Sequence, residues 1–496
     1  MDFLDPKKKK QQKIKLAIGH TLMVLVVAFG TFILVLLAYG FDLNRKSGEI
    51  IQNGLVYIDS APDNATLKIN GQEHSSKTNT RVSLPEGKYT VEISKESYRT
   101  WKRSFSLDGG VVERFTYPAL YLSDLKPQEL QTFDNSVTFS TESPDRRWIV
   151  LGQKNSISQF TVYDLRTRQN ELPTNEVINL PTNLLTAADG DHLIKLVEWS
   201  TDNQNVLVSH TWTGGSEFAV INIDNPAKSF NVNQTIGQNP SETYLFDKKV
   251  DQLYIYDAPS KLLQRINIKT KQTTEISRNI ISFKPHGEDK LLLAVGSADP
   301  KKVDIILKEK DKNYKIREIE TSAKIPLDIA KVGDAWYLVI GASSEKKTYI
   351  YKNPIDFIGG NNDPEKVALL ALGSKGPIDQ VAFSQNVRFV MSQSGQHFNV
   401  YDIETKRRYS YDMKQPFDAG SKIVWMDGHR LTTHSEGKVL VFDYDGTNPQ
   451  SLVSGDVSLL TMYDRDYTEL YNISPSINTP GKIGFFSTQL RLEEDK

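Results

Sequence analysis

The chain has 496 residues, 39% of them hydrophobic and 24% charged, with a formal net charge of −1. Those proportions belong to a folded globular chain long enough for two or three domains, and so balanced a charge gives no general attraction to nucleic acid. There is no cysteine, which excludes disulfide frameworks, thiolate metal sites and cysteine nucleophiles.

The first element is LAIGHTLMVLVVAFGTFILVLLAYGF, residues 16–41, which carries no formal charge. About twenty apolar residues cross a bilayer, so this run is expected to be a transmembrane helix. His20 and Thr21 fall near its start, where the interface tolerates them. Lys7, Lys8, Lys9, Lys10, Lys13 and Lys15 precede it; Asp42, Arg45, Lys46 and Glu49 follow in near balance. The lysine excess makes residues 1–15 a cytoplasmic tail and places the rest outside, on a single-pass signal anchor in the cell membrane. A cleaved signal has a shorter apolar region, about 7–15 residues, and Ala38-Tyr39-Gly40 is a poor cleavage site. The lysine run reads as orientation and anionic-lipid contact rather than nucleic-acid binding. Residues 42–52 are expected to form a linker.

Residues 53–118 read as short strands. Leu55 to Ile58 and Ala65 to Ile69 flank the turn Pro62-Asp63-Asn64, and Asn70-Gly71 is a strong hairpin signal. In SLPEGKYTVEISKESY, Tyr89, Val91 and Ile93 alternate with Thr90, Glu92 and Ser94. Trp101, Arg103, Phe105 and Leu107 share one face of the next strand, and Asp108-Gly109-Gly110 leads into a closing strand. This is a small β-sandwich. It resembles the PEGA domain. Pro62-Asp63-Asn64-Ala65 stands in place of the family's naming tetrapeptide, Asn replacing Gly as the next-best left-handed turn residue. Leu84, Gly87, Tyr89, Val91 and Ile93 match a later family pattern, while Ser97-Tyr98 departs from its usual Gly-Tyr. The resemblance implies a structural or adhesive module of the cell envelope and no catalytic residue.

From residue 125 to 492 a longer unit recurs: an aliphatic residue, an aromatic two further on, a polar turn and a second apolar strand. Clear copies centre on Phe139, Trp199, Phe283, Phe383 and Trp425; weaker ones follow Tyr244, Ile329 and Tyr463. Segments such as FTVYDL and FNVYDI add a third strand. Units of about 40–50 residues built from repeated strands mean a β-propeller with one four-stranded sheet per blade. The count gives eight blades, or seven if the first or last line completes another. SPDRRW and VYDL resemble the loose repeats of Tol-type and WD-repeat-like propellers. The expected fold class is therefore all-β with one N-terminal transmembrane helix.

No signature of catalysis emerges. Gly-x-Ser-x-Gly, His-Glu-x-x-His and phosphate-loop patterns are missing. His429 and His434, five apart on strands, do not aim at one metal. Asp443-Tyr444-Asp445-Gly446 opens like a calcium loop but has Ser454 where the bidentate carboxylate belongs. Ser143-Pro144-Asp145 opens like a sialidase box and then departs from it. Trp199, Trp425, Trp148 and Trp336 recur as blade core. Trp212, in HTWTGG, falls at a turn and is the one candidate ligand-binding residue, for a sugar or a peptide; no catalytic residue, metal or cofactor is expected. The reading is a non-enzymatic binding or scaffolding protein of the cell envelope, its propeller recognising a protein or a cell-wall glycan. The alternative is a propeller glycan hydrolase or lyase whose site is assembled from several blades.

Overall fold

The computed structural model describes residues 6–38, 40–43, 50–166, 172–288, 290–357 and 368–495. The chain divides into two compact units, Met1–Asp124 with Arg491–Lys496, and Leu125–Leu490.

In the first unit, helix α1 spans Pro6–Ala38. Its portion Lys9–Leu36 is long and apolar enough to cross a membrane and buries nothing against the chain. Its polar side chains turn inward on the backbone. Thr21 and Thr31 donate to the carbonyls of Ala17 and Val27 at 2.9 and 2.8 Å, and His20 Nδ1 meets the Leu16 carbonyl oxygen at 2.7 Å. Such back-bonds satisfy polar atoms that hydrocarbon would leave unpaired. The helix stops at Ala38 rather than Phe41. Gly40 takes φ +80, and its carbonyl accepts the Asn53 N–H at 2.7 Å.

Residues 42–52 are not simply a linker. Strand β1 (Phe41–Leu43) pairs with the start of β2 (Ile50–Ile58), Phe41 opposite Gln52 and Leu43 opposite Ile50. Residues 44–49 lie outside the described residues. The sandwich continues with β3 (Thr66–Ile69), β4 (Gln72–Glu73), β5 (Thr80–Pro85), β6 (Gly87–Ser94), β7 (Trp101–Leu107) and β8 (Val112–Phe115). One sheet runs β1-β2-β5, with β8 parallel to β2; the other runs β4-β3-β6-β7. The alternation read in the sequence is the burial pattern: Val56, Ile58, Leu67, Val91, Ile93, Trp101 and Phe115 fill the space between the sheets. Asn64, Asn70 and Gly71 all take positive φ, as their turns require, and so does Ser97, at φ +67, where the resemblance calls for glycine. Residues 491–495 also belong to this unit. The Asp495 carboxylate accepts from Lys95 Nζ and from the Tyr98 hydroxyl, the latter at 2.7 Å, and the Leu492 N–H donates to Tyr98 Oη at 2.9 Å. The second unit therefore ends at Leu490, not at residue 492.

The second unit consists of eight four-stranded antiparallel sheets among the described residues. Their first strands are Val137–Glu142, Leu193–Trp199, Glu242–Phe246, Ile280–His286, Leu327–Val332, Gln380–Phe383, Val424–Trp425 and Met462–Tyr463. Each holds one of the eight repeat positions found in the sequence. First strands touch at the junctions of blades one and two, two and three, four and five, and five and six, and the first blade's touches the eighth's, so the sheets close into a ring. The eighth sheet takes its outer strand from the start of the unit: β9 (Pro127–Phe133) pairs with Ile483–Gln489, Phe133 opposite Ile483.

The turns from first to second strand in blades one, two and six share a construction. The hydroxyls of Ser143, Ser200 and Ser384 donate to Asp145, Asp202 and Asn386, and accept the N–H of Trp148, Asn205 and Phe389 at 2.9 to 3.0 Å. The apparent sialidase box at Ser143 is this closed turn. The residue three after each serine is left-handed: Arg146, Asn203 and Val387 at φ +58, +57 and +58. Asparagine tolerates that region; a β-branched valine does not. Replacing Val387 by Asn should relieve about 1 kcal/mol and raise the thermal midpoint of the ring, read by calorimetry on the full chain. An unchanged or lower midpoint contradicts the strained-turn reading.

Candidate functional site

Carboxylates on the first strands are where a multi-blade hydrolase would keep its catalytic pair. Here three of them tie blades together, while Glu242 accepts from the Tyr244 hydroxyl of its own strand at 3.2 Å. Glu142 accepts the Tyr463 N–H at 2.8 Å, Glu198 the Leu245 N–H, and Asp328 the Phe383 N–H at 2.9 Å, each on the first strand of an adjoining blade. Ser282 and Gln380 make the same kind of link to the Ile325 and Ile423 carbonyls. Each of these three carboxylates also faces a cation: Arg146 at 3.8 Å, Lys248, and Lys284 at 3.4 Å. Burial pushes the Glu142 carboxyl up, against the pull of Arg146.

At one end of the ring, the turns of blades six, seven, eight and one are cross-linked. Arg146 of blade one skips a blade and donates to the Met426 carbonyl of blade seven at 2.6 Å, while its guanidinium lies 4.0 Å from the centre of the Tyr467 ring of blade eight. Tyr467 donates to Gln385 of blade six at 2.8 Å, and Gln385 donates to the Met426 carbonyl at 3.1 Å. A contact that skips a blade runs inside the ring, so these side chains span part of the channel mouth. Arg146→Met should leave Glu142 buried without its cation and the Met426 carbonyl short of a donor. The expected loss is about 3 kcal/mol, visible as a lower denaturation midpoint. A loss within about 0.5 kcal/mol, the range of ordinary surface substitutions, contradicts the assignment.

Two grooves open between blades at this same end. The groove between blades one and two, about 340 Å³, is lined by Arg147, Trp148 and Asp164 on one side and Asp202, Asn203 and Asp224 on the other. Arg147 stacks 4.1 Å from the Trp148 ring centre and pairs with Asp164 at 3.1 Å. Burial opposes the charge of Asp164, but hydrogen bonds from Arg166 and Arg147 hold its carboxyl down to about 2. Trp148 is thus a half-buried groove wall rather than pure core. Trp336 is likewise half-buried, with Lys290 Nζ 4.7 Å from its ring centre and His286 edge-on at 5.1 Å. A second groove, about 360 Å³, lies between blades three and four.

Trp212 sits elsewhere, at the second-to-third-strand turn of blade two, which antiparallel pairing places at the opposite end of the ring. Its half-buried ring covers Gly215, where a Cβ would come within 2.5 Å of it, and tilts against His210 at 4.9 Å. Behind it runs a buried relay. The Ala188 carbonyl oxygen lies 2.9 Å from His192 Nε2, His192 Nδ1 lies 2.8 Å from His210 Nε2, and His210 Nδ1 lies 2.9 Å from Glu217 Oε1. These contacts chain the Ala188 carbonyl through both imidazoles to the Glu217 carboxylate. Burial pushes the enclosed His210 imidazole down, against the pull of Glu217. Burial also opposes the Glu217 charge, yet hydrogen bonds from Thr186, His210 and Asn231 hold its carboxyl below the ordinary range.

Both shifts have the same sign for stability. A depressed carboxylate, like a depressed imidazole, contributes above its unfolded pKa and loses that contribution as pH falls through the folded one. Glu217→Gln should therefore lower the midpoint of the ring most at neutral pH, with the gap to wild type narrowing as pH falls below the ordinary glutamate value of about 4.3. A gap independent of pH contradicts an ionised Glu217.

The remaining sequence candidates are accounted for locally. His429 stands edge-on to Phe389 at 5.5 Å, and burial pushes it down to about 4. His434 is buried within strand Arg430–Ser435. Among the described residues no three metal-ligating side chains converge. Asp445 accepts from the Thr447 hydroxyl at 2.7 Å and Asp443 from Asn448 at 2.8 Å, which closes that loop on itself. The histidine relay and the channel-mouth network had no sequence signal beyond scattered His, Glu and Arg, because their members meet only across strands or blades.

Residues 53–118 match the PEGA domain. The comparison with curated proteins finds no match. Similar solved structures include the Dos1 propeller (13% identity, TM-score 0.43, covering 73% of this chain and 95% of that one) and Kluyveromyces lactis Hsv2 (12%, 0.36, 60% and 96%). Dihydro-heme d1 dehydrogenase NirN in complex with DHE is also similar (14%, 0.41, 65% and 67%). The propeller assignment rests on the eight-sheet ring itself.

Proposed function

We propose that this chain is a membrane-anchored binding protein of the cell envelope, not an enzyme. Helix α1 holds it in the cell membrane with the lysine-rich start in the cytoplasm, and the PEGA sandwich and the propeller lie on the extracytoplasmic side. The propeller recognises a protein or a cell-wall glycan; its Tol-type or WD-repeat-like character belongs to the same reading and rests on SPDRRW and VYDL.

One observation carries this most: three of the four first-strand carboxylates, Glu142, Glu198 and Asp328, are engaged in blade-to-blade ties, while half-buried aromatic and charged side chains line open grooves between blades. Such walls suit the anchor residues of a partner. Protein is favoured over glycan because Arg147 covers a face of Trp148 that a sugar would need. Trp212 stays as a second candidate contact, at the other end of the ring.

The test uses the full chain in native membranes. Protease added to intact cells should remove the propeller, and a photo-crosslinker placed at Asn203 should trap a protein partner that a double Arg147→Ala, Trp148→Ala variant no longer captures. A propeller protected by the membrane, or turnover of cell-wall polymer by the purified protein, overturns the reading.

A further inference from the structure

We propose that the groove between blades three and four binds an oxyanion, the phosphate or carboxylate group of a ligand with an apolar portion. The groove has a volume of about 360 Å³ and mixes aromatic wall with cationic rim. Most of its charges are spent internally. Lys290 pairs with Glu309, Arg278 holds Glu275 through two bonds of 2.9 and 2.7 Å, and Lys249 holds Glu288 at 3.0 Å. Among the described lining residues, what is left is Arg265, Lys308 and Lys310 against Asp311.

Arg265 is the centre of the argument. It lies within strand Leu262–Asn267, opposite Tyr254 and Thr274 on its two neighbouring strands. Its guanidinium stacks 4.8 Å from the Phe246 ring centre, and it makes no hydrogen bond or ion pair with a described residue. A half-buried guanidinium without a carboxylate is an unusual expense, and its planar fork fits a phosphate or carboxylate through two parallel bonds. Tyr254 lines the same groove, is 4% exposed, and its hydroxyl makes no hydrogen bond to a described residue. The groove between blades one and two is the internal contrast: there Arg147 already has Asp164. Among the described residues Lys308 donates to Asn313, at 3.5 Å, and Lys310 stands at the left-handed hairpin position beside it, so both ammonium groups can turn to an incoming anion. Phe246 and Tyr254 would take the apolar portion.

The experiment is isothermal titration of the full-length protein in detergent with inorganic phosphate, phenyl phosphate and benzoate at constant ionic strength. Saturable binding is expected for at least one probe, with phenyl phosphate above phosphate if the aromatic wall takes part; the order of phenyl phosphate and benzoate tells a phosphate source from a carboxylate one. Arg265→Gln should weaken the best probe about tenfold or more, Arg265→Lys should recover only part of that, and Lys269→Ala, outside the groove, should change nothing. Lys310→Glu gives a second reading that leaves the strand intact. The proposal fails if wild type shows no saturable binding of any probe, or if binding survives unchanged in both Arg265→Gln and Lys310→Glu. Loss of these anions leaves partner capture at the first groove untouched, so the two readings fail separately.

Discussion

A blade has no core of its own. Its four strands bury both faces only against the blades on either side, so the second unit is stable only as a closed ring. The joint where that condition is met is the pairing of β9 with Ile483–Gln489, which lets strands from the two ends of the unit share one sheet. It also covers the edge of Ile483–Gln489 that would otherwise be open to pairing with other chains. Tyr163 of blade one packs on Phe485 at 4.6 Å and donates to Gln131 of β9, so the seam is held by side chains as well as by the ladder.

The interior of the ring follows from this condition. Each blade-to-blade junction needs apolar contact between sheets and a polar tie at the first strands, where backbone N–H groups would otherwise face the channel unpaired. Glu142, Glu198 and Asp328 supply those ties, and Arg146 and Tyr467 extend them across the channel mouth. Buried charge in this unit is thus largely structural. The grooves between blades carry the half-exposed pairs instead, Arg147 with Trp148 and Arg265 with Phe246.

Much of this was legible from the chain alone because strand alternation and turn chemistry are local. Phe139, Trp199 and Trp425 announce first strands, Asn70-Gly71 a hairpin, and the run after Lys15 a helix suited to a bilayer. What stayed hidden depends on residues far apart in sequence. Nothing near Gln128 hints at Ser487, its register partner; nothing near Tyr98 hints at Asp495. The short strand Phe41–Leu43 escaped because three residues show no period. His192, His210 and Glu217 read as scattered polar residues until two adjacent strands and a loop bring them into line. Trp148 and Trp336 recur as core residues do, yet only the structure reveals the cations on their open faces.

Closure of the ring can be read directly, since the chain has no native thiol to interfere. Gln128→Cys with Ser487→Cys places the pair at opposed positions on neighbouring antiparallel strands, within disulfide reach. The account predicts that mild oxidation of the full-length folded protein closes this one bond nearly completely and raises the unfolding midpoint. Two thiols that stay free while the ring unit remains folded would contradict it, since the strand before the first blade would then not be the one that completes the eighth.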